Sequence, residues 1–227
     1  MPDFSELRAQ MVRRYQRAGY IKTETMTEAV MRVPREEFMS SSYVNYSYVD
    51  QPFPIPGDGR QTISAPYMYP VFYEPLGLKA GEKLLEVGAG SGYGAALARE
   101  LVGPEGLVVS IEINPTTFNF ARENLNRTGY QDVVLILGDG SLGYPEMAPY
   151  DAICITAACP EVPQPLIDQL DAPGRLMAPV GGSYSLYGQD LVLLEKGAEG
   201  LMEKKTLMKV SYVPLTGEYG YSRRERG

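Results

Sequence analysis

The stretch Leu84-Leu85-Glu86-Val87-Gly88-Ala89-Gly90-Ser91-Gly92-Tyr93-Gly94 constrains the fold more than any other in the chain. Leu84 to Val87 is a short apolar run ending in glycine, the form that buried strands of parallel sheets take in sequence. Glycines then alternate at positions 88, 90, 92 and 94, so the backbone can turn tightly with no Cβ in the way. Ala95 to Val102 is strongly helix-forming. Strand, glycine turn and helix together hold an anionic or strongly polar ligand against a helix N-terminus.

The rest of the chain alternates in the same way. Leu107 to Glu112 reads as a strand ending in an acid, and Asn114 caps a helix opened by Pro115, with Phe118, Ala121 and Leu125 facing inward. Further strands are expected at 133–137, 150–158, 175–180, 190–195 and 209–215, with a helix at 162–170. Strands separated by single helices give a doubly wound, mostly parallel α/β sheet, and the late strands lacking a helix between them predict an antiparallel edge. Upstream, residues 3–18 carry an apolar stripe of Phe4, Leu7, Met11, Val12, Tyr15 and Ala18, closed by Gly19. Thr25 or Thr27 is expected to cap a second helix, Pro34 to start a short third turn through Phe38, and Ser40 to Gly59 to form a surface loop. The reading is one domain over 1–227: an N-terminal helical cap and loop (1–60), a ligand-binding core (61–181), and C-terminal strands with a tail (182–227).

Composition narrows the chemistry. The 227 residues carry a net charge of -7, which gives a nucleic-acid partner no support. No apolar run at the N-terminus is long enough for a signal peptide or membrane span, so a cytoplasmic protein is expected. Histidine is absent, and Cys154 and Cys159 cannot build a metal site alone; they read as reduced core or loop residues. Chemistry here must run on carboxylates, hydroxyls, backbone groups or a cofactor.

Dinucleotides and S-adenosylmethionine both use a glycine turn of this kind. The dinucleotide frame fails from Gly88, whose sixth position is Tyr93; it passes formally from Gly90 through Gly92 to Ala95, but two residues late. The acids separate the two cofactors. Glu86 stands just before the first glycine, Glu112 ends the second strand, and Asp139 with Gly140 ends the third. A buried carboxylate repels a pyrophosphate and attracts a cofactor carrying an ammonium and a sulfonium. Gly88, Gly90, Gly92, Glu86, Glu112 and Asp139 are therefore the expected walls of an S-adenosylmethionine site.

With these residues in view, the chain resembles protein-L-isoaspartate O-methyltransferases over nearly its whole length. The resemblance rests on Val33-Pro34-Arg35-Glu36-Glu37-Phe38, Gln61-Thr62-Ile63-Ser64-Ala65-Pro66, the glycine turn, Gly138-Asp139-Gly140, Thr156-Ala157-Ala158 and Val213-Pro214-Leu215-Thr216. It implies a seven-stranded, Rossmann-like methyltransferase sheet with terminal additions. The implied activity is methyl transfer from S-adenosyl-L-methionine to the α-carboxylate of isoaspartyl residues in damaged proteins and peptides, the first step of their repair. By position it makes Ser64 the active-site serine. Thr62 and Ile63, with Gly88, Gly90, Glu112, Asp139, Gly140 and Thr216, would contact or enclose the cofactor. Two departures stand out: Tyr67 or Tyr69 where the family often has histidine, and the longer connection Ser183 to Gly188.

A carboxylate acceptor is already ionised at neutral pH, with an ordinary pKa near ~4, so it needs no general base and no histidine. Ser64 then orients the acceptor through a hydrogen bond and is no nucleophile, since no base is in view to activate it. The competing reading of Ser64 is a plain helix N-cap. The competing functions are a methyltransferase of the same fold acting on another carboxylate, a small molecule or one dedicated partner; an NAD-dependent oxidoreductase using the Gly90 frame; and a cofactor-binding protein without turnover. The expected oligomeric state is a monomer.

Overall fold

The computed structural model describes residues 2–182, 188–200 and 202–222. Its N-terminal helices start where short side chains can take up free backbone donors. Helix α1 (Phe4–Ala18) is capped by Asp3, which accepts from the Glu6 N–H at 3.1 Å, and closes at Gly19 in the left-handed region (φ 76°). Met11, Val12 and Tyr15 of its stripe are buried, whereas Ala18 at the last turn is exposed. Helix α2 (Glu24–Arg32) is capped by Thr23, not by Thr25 or Thr27. Thr23 alone has the extended backbone that aims its hydroxyl at the Met26 N–H (3.2 Å); Thr25 and Thr27 already lie inside the helix. A 3₁₀ turn over Arg35–Phe38 follows Pro34 as expected.

The segment from Ser40 to Gly59 departs from the expected surface loop. It holds a 3₁₀ turn (Ser41–Tyr46) and strand β1 (Phe53–Pro54), which pairs antiparallel with β2 (Thr62–Ile63), and it buries Tyr48, Phe53 and Ile55. Arg8 fastens it to the cap, donating to the Tyr48 hydroxyl and to Glu36 Oε1, each at 2.7 Å.

The main sheet contains β3 (Lys83–Val87), β4 (Leu107–Glu112), β5 (Val134–Leu137), β6 (Tyr150–Ile155), β7 (Leu170–Val180), β8 (Gln189–Lys196) and β9 (Met202–Val210) in the order β5-β4-β3-β6-β7-β8-β9. The first five pair in parallel and β8 and β9 run antiparallel, which matches the predicted α/β class and its antiparallel edge. The helices of the layers are α3 (Met68–Leu76), α4 (Tyr93–Val102), α5 (Pro115–Thr128) and α6 (Gln164–Gln169). Asn114 caps α5 by accepting the Thr116 and Thr117 N–H groups, with Pro115 supplying the first helical position. Leu84, Leu85, Val108, Val109, Ala152, Ile153, Leu176 and Ala178 are wholly buried in the centre of the sheet, each 0% exposed. That continuous apolar filling is what strands covered on both faces require.

The last strand is displaced from its expected place. Of residues 209–215 only Lys209 and Val210 belong to β9, and Pro214 instead makes an isolated bridge with Ala158. Pro214 explains the end: it lacks an N–H for a ladder, and the residue ahead of it is restricted. The true strand escaped periodicity because it is exposed on both faces from Met202 to Lys209, with no apolar alternation to read. Strand β6 likewise stops at Ile155, and α6 spans only Gln164–Gln169. The predicted lengthened connection falls on 183–187, outside the described residues. Among the described residues no helix is long and apolar enough to cross a membrane.

Candidate active site

The chain runs from β3 to β4 and β5 on one side, then returns to place β6 against the other side of β3. At such a reversal the connecting segments diverge, leaving a crevice at the carboxyl ends of the strands. Gly88 follows β3 there, and Thr156 follows β6. The Thr156 hydroxyl donates to the Gly88 carbonyl at 2.7 Å, and its N–H to the Val87 carbonyl at 2.9 Å. Gly88 has φ +99°, and a Cβ on it would stand 2.4 Å from Thr156 Oγ1, so only glycine fits.

This crevice, open to solvent, spans about 850 Å³ and is walled by Thr62, Gly88, Gly90, Glu112, Gly140 and Thr216, among others. Six residues expected from the sequence thus share one site. Glu112 is 6% exposed; its Oε2 accepts the Gly90 N–H and its Oε1 the Asn114 N–H, each at 3.0 Å. Burial pushes its pKa up, against the pull of these backbone donors. A carboxylate so held keeps lone pairs for the vicinal hydroxyls of a ribose. Gly140 lets the chain pass close to β3: a Cβ there would lie 2.7 Å from Val87 Cγ1.

Four residues expected in the crevice stand elsewhere. Gly92 (φ +84°) faces α5, where a Cβ would meet Leu125 Cγ at 3.0 Å and the Ala121 carbonyl at 3.3 Å. It is a packing glycine. The Ile63 side chain is 1% exposed and lies in the core, leaving only its main chain between Thr62 and Ser64. Asp139 is spent on local structure: Oδ1 accepts from the Ser141 N–H (2.9 Å) and hydroxyl (2.7 Å), and Oδ2 from the Glu218 N–H (2.7 Å). Glu86 lies behind the glycine turn, 1% exposed, with the Ser110 hydroxyl donating to it at 2.5 Å and the Tyr73 hydroxyl 3.5 Å away. Burial raises its pKa to about 8, a rise the Ser110 bond opposes and the Glu112 charge adds to. The sequence-based attraction of a fixed Glu86 charge for a cationic ligand therefore needs correcting: near neutral pH this carboxyl holds its proton when alone.

Glu86 borders a second cavity of about 520 Å³, shared with Tyr69, Tyr73, Cys154 and Ser64. Ser64 also opens on a broad groove of about 1700 Å³ bordered by Arg60, Tyr67, Lys209 and Tyr212. Thr62 and Thr156 border all three spaces, so the wall Thr62-Ile63-Ser64 divides the crevice from the groove. Ser64 is not a helix cap; α3 is preceded by Tyr67 and has no side-chain cap bond. Both cysteines are free and buried, and burial pushes the Cys159 thiol up to about 12. Sequence reasoning passed over Tyr73 and Ser110 as site neighbours, since neither carries a local signal; Arg35 and Thr156 stood within motifs that carry the resemblance but without a role.

The protein-L-isoaspartate(D-aspartate) O-methyltransferase family model matches residues 6–220. The chain belongs to this family. It is 47% identical to the protein-L-isoaspartate O-methyltransferase of Hyperthermus butylicus, covering 96% of this chain and 92% of that one. To the enzyme of the same name from Methanopyrus kandleri it is 44% identical, over 98% of this chain and 96% of that one. Among solved structures, a protein-L-isoaspartate O-methyltransferase superposes with a TM-score of 0.84 at 31% identity, covering 94% of this chain and 67% of that one. A Plasmodium falciparum protein described as a putative member, solved with S-adenosyl-L-homocysteine, shares the fold with a TM-score of 0.80 at 24% identity, over 95% of this chain and 99% of that one. Membership in the protein-L-isoaspartate O-methyltransferase family bears out the sequence resemblance and sets aside the dinucleotide frame through Gly90.

Proposed function

We propose that the protein transfers the methyl group of S-adenosyl-L-methionine to the α-carboxylate of L-isoaspartyl residues in damaged proteins and peptides. The observation that carries this reading is the Thr62-Ile63-Ser64 wall, with a glycine-lined crevice on one side and an open groove on the other. The crevice suits the cofactor: Glu112 would be a fixed acceptor for ribose hydroxyls, and Gly88, Gly90 and Gly140 line the space without side chains. Glu86 gives up its proton when an ammonium sits beside it, since an adjacent cation favours the charged carboxylate. When bound, S-adenosyl-L-methionine supplies a methyl group activated by its sulfonium charge.

The groove suits an acceptor peptide. Ser64 donates its hydroxyl to the acceptor carboxylate and fixes its approach, while Thr62 and Thr156 narrow the opening between the two spaces. Positioning of this kind is worth up to about 7–11 kcal/mol in well-oriented reactions. Where a bound acceptor and cofactor displace water between them, the attraction of their charges is about 4 kcal/mol at 4 Å and an effective dielectric near 20. The reading includes a cytoplasmic monomer with no nucleic-acid partner. Two buried free thiols support the compartment, and a net charge of -7 supports the lack of a nucleic-acid partner.

One assay tests it. Labelled S-adenosyl-L-methionine is offered with isoaspartyl and aspartyl versions of one peptide, and a base-labile methyl ester is expected on the first only. Esters on both, or on neither, would overturn the reading.

A further inference from the structure

Arg35 is 0% exposed, yet its guanidinium meets no carboxylate among the described residues. Nε donates to the Ser47 carbonyl and one Nη to the Ser64 carbonyl, both at 2.7 Å, while Nη1 is buried without a partner. The guanidinium stands 5.7 Å from the Tyr69 ring centroid and 5.2 Å from that of Tyr93, and those two rings meet edge to face at 4.7 Å. Tyr93 opens α4 directly after the glycine turn, and Tyr69 borders the cavity that Ser64 shares with Glu86.

A buried charge with no carboxylate beside it is costly, and an apolar side chain would fill the same space more cheaply. Stability alone does not account for Arg35. Its contacts do: they join the cap, the Ser64 wall and the first residue of the cofactor helix through one rigid fork.

Resting on the function proposed above, we propose that Arg35 is a positioning residue for methyl transfer: bonded to the Ser64 carbonyl, it fixes the acceptor wall against the cofactor turn and lays positive charge behind the site of an anionic acceptor. Lysine at this position keeps the charge and loses the fork; methionine loses both.

The test compares Arg35→Lys and Arg35→Met with the wild type in two measurements on the full chain. With an isoaspartyl peptide, kcat should fall about 10–100-fold in Arg35→Met and by less in Arg35→Lys, the size expected when a reacting group is displaced by about 1 Å. Affinity for S-adenosylhomocysteine should stay within about twofold of wild type in both, as expected for an interaction not made to the cofactor. A kcat retained in either folded variant, or a cofactor affinity that falls in step with kcat, overturns the proposal. Should neither variant fold, NMR of the wild type decides: a scalar coupling across the hydrogen bond from the Arg35 guanidinium nitrogen to the Ser64 carbonyl carbon is expected, and its absence overturns the proposal. The coupling and the affinity comparison do not need turnover, so a wild type inactive on isoaspartyl peptide counts against the function, not against Arg35.

Discussion

Asp139 Oδ2 accepts the Glu218 N–H at 2.7 Å across 79 residues of chain. The same carboxylate caps the 3₁₀ turn at Gly140–Leu142, and a Cβ on Gly217 would stand 2.0 Å from Asp139 Oδ1. One side chain thus ties the C-terminal segment carrying Thr216 to the end of β5. Asp139→Ala should free the Glu218 amide and cost about 1–3 kcal/mol, the penalty for stranding donors of a charge-assisted bond. Hydrogen exchange checks it: the Glu218 and Ser141 amides should exchange faster, and S-adenosylhomocysteine should bind more weakly as Thr216 loses its place.

Glu86 makes stability depend on pH in the direction opposite to an ordinary ion-paired acid. Its folded pKa is about 8, against about 4.3 for an unfolded glutamate. Between these values the unfolded chain has shed the proton and the folded chain keeps it, so the unfolded state binds fewer protons and this group's contribution falls as pH rises. Glu86→Gln should therefore gain thermal stability relative to wild type progressively from about pH 4.3 to pH 8 and level off above. Melting curves of both proteins over that range provide the check; a constant offset would mean that Glu86 titrates as an exposed acid.

Two glycines of the same turn should fail in different ways. Gly88→Ala places its methyl against Thr156 at the crevice mouth, and Gly92→Ala places it against Leu125 in the helix layer, both at positive φ. Each should cost about 1–3 kcal/mol from backbone strain and crowding. Only Gly88→Ala should lose cofactor affinity measured on the folded fraction by titration calorimetry.

Ser64→Ala removes a hydrogen bond to a charged acceptor, worth about 1.5–3 kcal/mol, or roughly 10–150-fold in rate. Cofactor affinity should fall far less than turnover, because the Ser64 side chain borders the groove and the smaller cavity rather than the crevice that holds Glu112. Steady-state turnover on an isoaspartyl peptide, with S-adenosylhomocysteine binding measured in parallel, separates the two effects. Unchanged turnover would remove Ser64 from the chemistry.

The parts of this architecture that could be read from sequence are those decided within a few residues. Leu84 to Gly94 announces its strand, turn and helix through local composition, and Asn114-Pro115 announces its helix start, because sterics and capping act over one turn. Thr23, Thr25 and Thr27 are alike in type, and only the backbone conformation chooses among them. Strand β9 is held by its pairing with β8 rather than by burial, so periodicity could not find it. The site residues divide in the same way. Glu112 follows from its place at a strand end, whereas the duty of Asp139, the proton on Glu86 and the burial of Arg35 all depend on partners distant in sequence.

Among the described residues, strand β9 leaves the outer row of its N–H and C=O groups without a neighbouring strand in the sheet. A catalyst whose clients are damaged, partly unfolded polypeptides would run the risk of being zipped to them along such a row. The strand's faces carry Lys204, Lys205 and Lys209, the last two paired with Glu195 and Asp190 of β8, and lysines on an edge strand are a means by which open borders discourage adhesion. The border can therefore stay bare without pairing to an extended chain.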